Sequence, residues 1–301
     1  VSDRRNMAEK PVRGIAPVER LLERLLREWK PDAVVCTYMV YPYMLDSLAS
    51  RTGRAVPYLT VVTDSFVINK SWLCSKSPLW AVTDPWTRAI MEEKGLPQDR
   101  LRVTGFPVNP VLGALAKEHP LSWKEGEPFR VLYFAQRSAR HARAELAGML
   151  DANPALHVTC ILGRRFRRIY PRIRDLRARY GRRLTVRGWT RRVPSYLAAS
   201  HVVVGKAGGA TVHEVLAAAR PMLVNFLLPG QGEGNTRLLE KLGGGSHVPD
   251  ARALASALQE MMADGGAQWR RMHENLLRAG MTGGSGRIAD LALKLAEEHT
   301  N

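Results

Sequence analysis

Val202-Val203-Val204-Gly205-Lys206-Ala207-Gly208-Gly209-Ala210-Thr211-Val212-His213-Glu214 is the stretch on which the fold turns. Three consecutive valines read as a short buried strand. A glycine loop follows, and helical spacing begins near Ala210. Strand, glycine turn and helix in that order are half of a βαβ unit. Glycine lets a ligand approach the backbone, and the amides of a helix's first turn attract phosphate or diphosphate. Thr211 adds a hydroxyl in that turn, and Glu214, one turn on, is a candidate acceptor for ribose hydroxyls. An ordinary tight turn with a capped helix accounts for the same residues without a ligand, and a lone glycine motif does not exclude it. A second motif shifts the balance. Met222–Phe226 reads as a strand and leads into Leu228-Pro229-Gly230-Gln231-Gly232-Glu233-Gly234-Asn235. Gln231 and Asn235 carry amides suited to sugar hydroxyls, although Asn235 would also serve as a helix N-cap. Two such loops at the carboxyl ends of consecutive strands are more specific than either alone, because ligands of open α/β sheets bind there.

The same alternation extends outward. Val18, Leu21, Leu22, Leu25, Leu26 and Trp29 mark an amphipathic helix. Strands are predicted at residues 33–36, 56–62, 79–82 and 101–104, and again at 130–134, 157–162, 184–187, 202–204 and 222–226, with helical stretches between them. Alternating strand and helix predicts parallel sheets covered by helices. The 301 residues suit two domains of roughly 150 each. The Pro- and Gly-rich segment from Gly105 suggests the division: a partial Rossmann-like domain at 1–108, a linker at 109–128, a second Rossmann-like domain at 129–280, and a last helical stretch at 281–301 that packs back on the first domain. The first half opens on a helix where a doubly wound domain opens on a strand and a phosphate-binding turn, so that strand and its loop are expected to lie before Val1.

Composition narrows the function classes. Hydrophobic residues make up 45% of the chain, which excludes a disordered polypeptide. No uncharged apolar stretch approaches the roughly 18–20 residues of a membrane-spanning helix, and Val1–Lys10 has no apolar run after it like that of a secretory signal. Cys36, Cys74 and Cys160 stand far apart, which argues against a zinc ribbon or a disulfide framework and suits a reducing cytoplasm. The net charge is +17, and 13 arginines against the single acid Asp175 lie between Gly163 and Arg192. Such a block favours an anionic partner. Its aromatics, Phe166, Tyr170 and Tyr180, fit a packed helix as well as a stacking platform, so nucleic acid has only charge behind it.

The stretch GKAGGATVHEVLAAARPMLVNFLLPGQGEGN closely resembles the donor-site signature of the diacylglycerol glycosyltransferases. These are the monogalactosyldiacylglycerol synthases and processive diacylglycerol glucosyltransferases, related to the lipid-intermediate N-acetylglucosaminyltransferase of peptidoglycan synthesis. Val61-Val62-Thr63-Asp64 followed by Trp72, and Gly105-Phe106-Pro107, resemble segments of the first half of that family. The resemblance implies an α/β fold of GT-B type, two Rossmann-like domains facing a cleft, the first of them incomplete here. It implies transfer of a hexose from UDP-glucose or UDP-galactose to diacylglycerol or a similar lipid at an anionic membrane surface. It further implies no cofactor, no nucleic acid, and a cytoplasmic protein held peripherally at the inner face of the membrane. Carried over by position, Gly208, Gly209 and Thr211 hold the diphosphate, Glu214 the ribose, and Gln231 and Asn235 the hexose or its phosphate. Gly188-Trp189-Thr190 resembles the segment packing on uracil, and Arg164 a position that neutralises phosphate.

Departures accompany the resemblance. The family's glycine loop ending in histidine has no match, and Asn69 stands where several relatives carry a histidine. Phe134-Ala135-Gln136-Arg137-Ser138 replaces the usual glycine cluster, and Val193 and His201 replace methionine and aspartate. With no DxD pair there is no visible carboxylate clamp for a metal diphosphate, so no metal is expected. Leaving-group charge then falls to the Gly208–Thr211 helix start and nearby cations. Asp64, after its strand, is the only well-placed candidate base, although a loop-capping carboxylate beside Thr63 is the preferred reading. Tyr38, Tyr41, Tyr43, Phe66 and Trp72 suit either an acyl-chain groove or the core. Two alternatives stay open: a truncated or impaired UDP-sugar binder of the same fold, and N-acetylglucosaminyl transfer to a lipid-linked acceptor.

Overall fold

The computed structural model describes residues 15–118 and 121–300. The chain divides into two units, one ending at Pro107 and resuming at Gly283, the other running Val108–Thr282. Val1–Lys10 and the basic residues before Ile15 lie outside the described residues.

In the first unit, α1 (Ala16–Trp29) and α2 (Val40–Thr52) flank β1 (Val34–Cys36), and β2 (Tyr58–Val61), β3 (Leu79–Val82), α3 (Pro85–Glu93) and β4 (Leu101–Val103) follow. The four strands pair in the order β1-β2-β3-β4, all parallel. Pro85 opens α3 with its fixed φ, and Asp84 caps it by accepting from the Thr87 amide at 2.8 Å. The last helix of the chain (Gly284–Thr300) lies on this sheet. Ile288 packs with Leu59, Val61 and Ala81, and Arg287 Nε donates to the Thr104 carbonyl at 2.6 Å.

The second unit contains α4 (Val111–Glu118), β5 (Phe129–Phe134), α5 (Ala139–Ala152), β6 (Leu156–Ile161), α6 (Phe166–Ile169), α7 (Arg174–Tyr180) and β7 (Leu184–Arg187). Then come α8 (Val193–Ala199), β8 (Val202–Lys206), α9 (Gly209–Ala217), β9 (Met222–Phe226), α10 (Gln231–Lys241), β10 (Gly245–His247), α11 (Ala251–Met262) and α12 (Ala267–Ala279). Counting the last helix as α13, the unit's strands run β10-β9-β8-β5-β6-β7, again all parallel. This is the doubly wound order in which the chain winds one way from β5, then returns to its other side at β8. The switch point lies between the carboxyl ends of β5 and β8, where Tyr133 pairs with Val204.

Two findings depart from the sequence reading. The stretch expected as a linker carries α4 and belongs to the second unit. A tenth strand, β10, was not anticipated, because Gly-Ser-His has neither apolar alternation nor β-branched residues. Tertiary pairing creates it: Gly245 sits opposite Met222, and a Cβ there would collide with the Met222 carbonyl oxygen.

The core of the second unit is centred on aromatics. Trp269 is 1% exposed, packs edge-on to Phe129 and His201, and donates its indole N–H to the His201 carbonyl at 2.8 Å. His201 Nδ1 accepts from the Arg130 amide at 2.8 Å, so the ring fastens β5 to the start of β8. Burial holds its pKa down at about 4, so the imidazole is neutral at neutral pH. This gives the departure at position 201 a packing role.

Candidate functional site

Because every strand of the second unit is parallel, the loops after β5, β6, β7, β8 and β9 all emerge on one edge of its sheet. Arg164, Trp189, Thr190, Gly208, Gly209, Thr211, Glu214, Gln231 and Asn235 all lie on these loops or in the helical turns they open. Asp64 lies in the other unit, after β2.

The β8–α9 turn supplies the donors. Gly208 is the N-cap of α9 with extended backbone, so the amides of Gly209, Ala210 and Thr211 begin the helix and point off its end. A Cβ on Gly208 would press on Lys206 Cε at 3.2 Å, so the missing side chain leaves room beside a cation. Glu214 is half-buried, and its carboxylate has no hydrogen-bond or ion-pair partner among the described residues. Burial raises its pKa above the ordinary carboxylate value. A half-buried carboxylate without a donor is costly unless something supplies one. Next to it, His213 points into the core at 1% exposure, and burial depresses its pKa to about 3.

The β9 loop behaves differently at its two amides. Gln231 is exposed at the start of α10. Asn235 is fully buried, and its Nδ2 donates to the Ala207 carbonyl at 3.0 Å, tying the glycine loop to α10. It is a brace between loops, with its Oδ1 buried and unbonded. Trp189 is 60% exposed with the Arg191 guanidinium carbon 5.6 Å from its ring centre, a flat face available for stacking. Thr190 Oγ1 accepts from the Arg192 amide at 3.0 Å and shapes that loop. Arg164 is exposed on a turn of 3₁₀ helix after β6.

Sequence reasoning passed over three residues. Arg165 Nη1 donates to the Gln136 carbonyl and so clasps the β5 loop. Gln136 Oε1 is buried without a partner, and Arg137 leans from that loop toward Phe226, its guanidinium carbon 5.8 Å from the ring centre. The signal was the departure itself, since a segment that loses its glycines and gains Gln-Arg replaces backbone donors with side chains. Several arginines of the basic block prove structural. Arg183 donates to the carbonyls of Leu150, Asn153 and Leu156, and Arg179 pairs with Asp151 at 3.0 Å.

In the first unit, Asp64 is 6% exposed, and its Oδ2 accepts from Trp72 Nε1 at 2.9 Å and from the Asn69 amide at 3.4 Å. The carboxylate therefore closes its own loop. Trp72 and Phe66 are buried, whereas Tyr38 is 54% and Tyr41 40% exposed, edge-to-face with each other. Only those two tyrosines of the five aromatics are substantially exposed. Among the described residues no three His, Cys, Asp or Glu side chains cluster as metal ligands, and no helix is long and apolar enough to cross a membrane.

Comparison with known proteins bears on the family and the fold. The sequence model of the monogalactosyldiacylglycerol synthase family matches residues 12–108, and that of the glycosyltransferase family 28 C-terminal domain matches residues 147–284. The processive diacylglycerol β-glucosyltransferase of Bacillus subtilis is 23% identical over 285 residues, covering 93% of this chain and 73% of its own. That of Staphylococcus carnosus is 24% identical over 252 residues, 82% of this chain and 63% of its own. The chain thus spans about two thirds of the length of these relatives. Among solved structures, MurG of Acinetobacter baumannii superposes with a TM-score of 0.63 at 16% identity, covering 90% of this chain and 76% of that one. The UDP-GlcNAc 2-epimerase of Neisseria meningitidis, bound to UDP-GlcNAc, reaches 0.69 at 14% identity, with 95% and 84% covered. The resemblance seen in the motifs and the two-unit GT-B architecture both hold.

Proposed function

From a chain that carries a monogalactosyldiacylglycerol synthase domain followed by a family 28 glycosyltransferase C-terminal domain, we propose transfer of a hexose from a UDP-sugar to diacylglycerol or a similar lipid. The observation that carries this reading is the switch-point edge of the second unit. There a glycine-capped helix start, an unpaired half-buried Glu214 and an exposed Trp189 share one row of loops. Those three groups match a diphosphate, a ribose and a base in chemistry. The first-turn amides of α9 take the diphosphate and meet the charge that grows on UDP as the glycosidic bond breaks. Glu214 accepts from ribose hydroxyls, Trp189 and Thr190 hold the uracil, Arg164 adds charge near phosphate, and Gln231 reaches the hexose. Asn235 supports that loop from below through Ala207. No cofactor is needed for this chemistry, and the lipid is met peripherally at an anionic membrane surface.

Calorimetric titration of UDP, with UMP and ADP for comparison, tests the site. UDP binds selectively, and Glu214→Ala weakens it by about tenfold, the scale of one or two lost hydrogen bonds to a charged group. Unchanged affinity in that variant would remove Glu214 from the site. Vesicle assays with UDP-glucose and UDP-galactose then identify the sugar. A second reading, a donor binder without turnover, is favoured by one observation: the candidate base Asp64 is already engaged by Trp72 and Asn69. Glycolipid formation by this chain would refute it.

A further inference from the structure

The β5 loop reads Ala135-Gln136-Arg137-Ser138 at the switch point, where the resembling family carries glycines. What holds Arg137 there is unusual for a surface arginine. Its Nη1 lies 3.5 Å from Glu145 Oε1 and 3.4 Å from the Asn225 carbonyl, and its guanidinium stacks over Phe226 at the end of β9. Glu145 is 2% exposed. Its Oε2 accepts from the Tyr133 hydroxyl at 2.5 Å and from Asn225 Nδ2 at 2.7 Å, leaving Oε1 to face Arg137. One buried carboxylate therefore joins β5, α5 and β9 and aims the guanidinium along the carboxyl edge of the sheet.

A cation serving only to neutralise Glu145 would form a short bidentate pair with it. Here the contact is single and long, the Arg137 side chain keeps 23% of its surface exposed, and among the described residues nothing bonds its Nε or Nη2. The adjacent Gln136 Oε1 is buried and unbonded, a second polar group on this loop awaiting a partner. We infer that Arg137 is this chain's own cation for the donor diphosphate, doing with a guanidinium what a glycine cluster does with backbone amides, and that Glu145 is the residue that positions it. The inference rests on the donor reading given above and adds a residue that the donor-site signature does not contain. A guanidinium fork suits phosphate oxygens, and its charge opposes the negative charge that develops on the departing UDP.

UDP and UMP, which share base, ribose and first phosphate, are titrated into the wild-type chain and into Arg137→Ala, Arg137→Gln, Arg137→Lys and Glu145→Gln, with near-ultraviolet circular dichroism confirming folding. Arg137→Ala and Arg137→Gln should weaken UDP by about tenfold and leave UMP within about twofold, the difference expected of one charge-assisted contact to the second phosphate. Arg137→Lys recovers part of the loss. Glu145→Gln, which keeps an acceptor for Tyr133 and Asn225 but frees the guanidinium, weakens UDP by a smaller factor in the same selective way. Two results overturn the inference while the donor reading stands: wild-type UDP affinity in both Arg137→Ala and Arg137→Gln, or equal loss for UDP and UMP. A folded wild-type chain that binds neither nucleotide overturns the donor reading and this inference together.

Discussion

The carboxyl edges of the two sheets, each taken by itself, are built on opposite principles. In the first unit the loop groups satisfy one another. Asp64 receives Trp72 and Asn69, Asp84 receives Thr83 and Thr87, and Ser65 bonds Thr83, all of them buried except the Asn69 contact. In the second unit the loops hold each other in place through Asn235, Arg165 and Glu145, yet they leave the Glu214 carboxylate and the amides opening α9 without a side-chain partner, and Gln136 Oε1 buried without one. Buried polar groups are nearly always paired in folded proteins. An edge with its pairs complete therefore reads as architecture, and one with systematic gaps reads as a place for a polar ligand.

Three perturbations break or sharpen this contrast. The largest is to the frame beneath the open edge. Trp269→Ala removes a buried indole and leaves the His201 carbonyl without its donor, and is expected to cost about 3–5 kcal/mol in urea unfolding. A loss below about 1 kcal/mol would mean that the aromatic cluster does not fix the sheet. Next comes the closed edge. Asp64→Ala strands the Trp72 indole N–H and should cost about 1–3 kcal/mol of stability with UDP affinity unchanged. Asp64→Asn keeps an oxygen for Trp72 while removing the carboxylate. If Asp64 is the base, glycolipid formation falls in the Asn variant with its melting temperature preserved, and turnover at the wild-type rate would make Asp64 a loop clamp alone.

The smallest effect concerns Glu214, whose folded-state pKa is raised by burial. A carboxyl group with a raised pKa costs stability when ionised, so that cost is present above the folded pKa and absent below the unfolded value near 4.3. Glu214→Gln is therefore expected to be more stable than wild type at pH 7, with the difference vanishing toward pH 4. The same variant binds UDP more weakly. Greater stability with weaker binding is the signature of a group kept for a ligand, and parallel loss of both would make Glu214 structural.

Much of the architecture was legible in the residues. Among the described residues, nine of the ten strands carry apolar or β-branched runs bounded by Gly, Pro or Asp, and a buried parallel strand announces itself in that way wherever it packs. The two glycine loops were equally visible, because close backbone approach leaves a compositional mark. The site was legible where it depends on residue type and illegible where it depends on what a side chain touches. Asn235 and Gln231, alike in chemistry and four residues apart, both read as sugar-binding amides, with a helix N-cap as the other reading of Asn235. Packing buries the first as a brace and leaves the second exposed. The thirteen arginines of the basic block also look interchangeable in sequence, yet Arg183 caps carbonyls, Arg165 clasps the β5 loop and Arg164 faces solvent.

What the sequence determined by itself is the alternation of strand and helix, the parallel sheets that follow from it, and the edge on which the ligand loops gather. All of these arise from local periodicity and short-range turn chemistry, which act over a few residues. Only the tertiary structure decided that Gly245-Ser246-His247 is a strand, that Glu145 is buried beneath Arg137, and that Glu214 stands without a partner. Each depends on contacts between residues far apart in the chain. Burial turns those contacts into energy, because a charge or amide removed from water must find its partner in the fold or in a ligand.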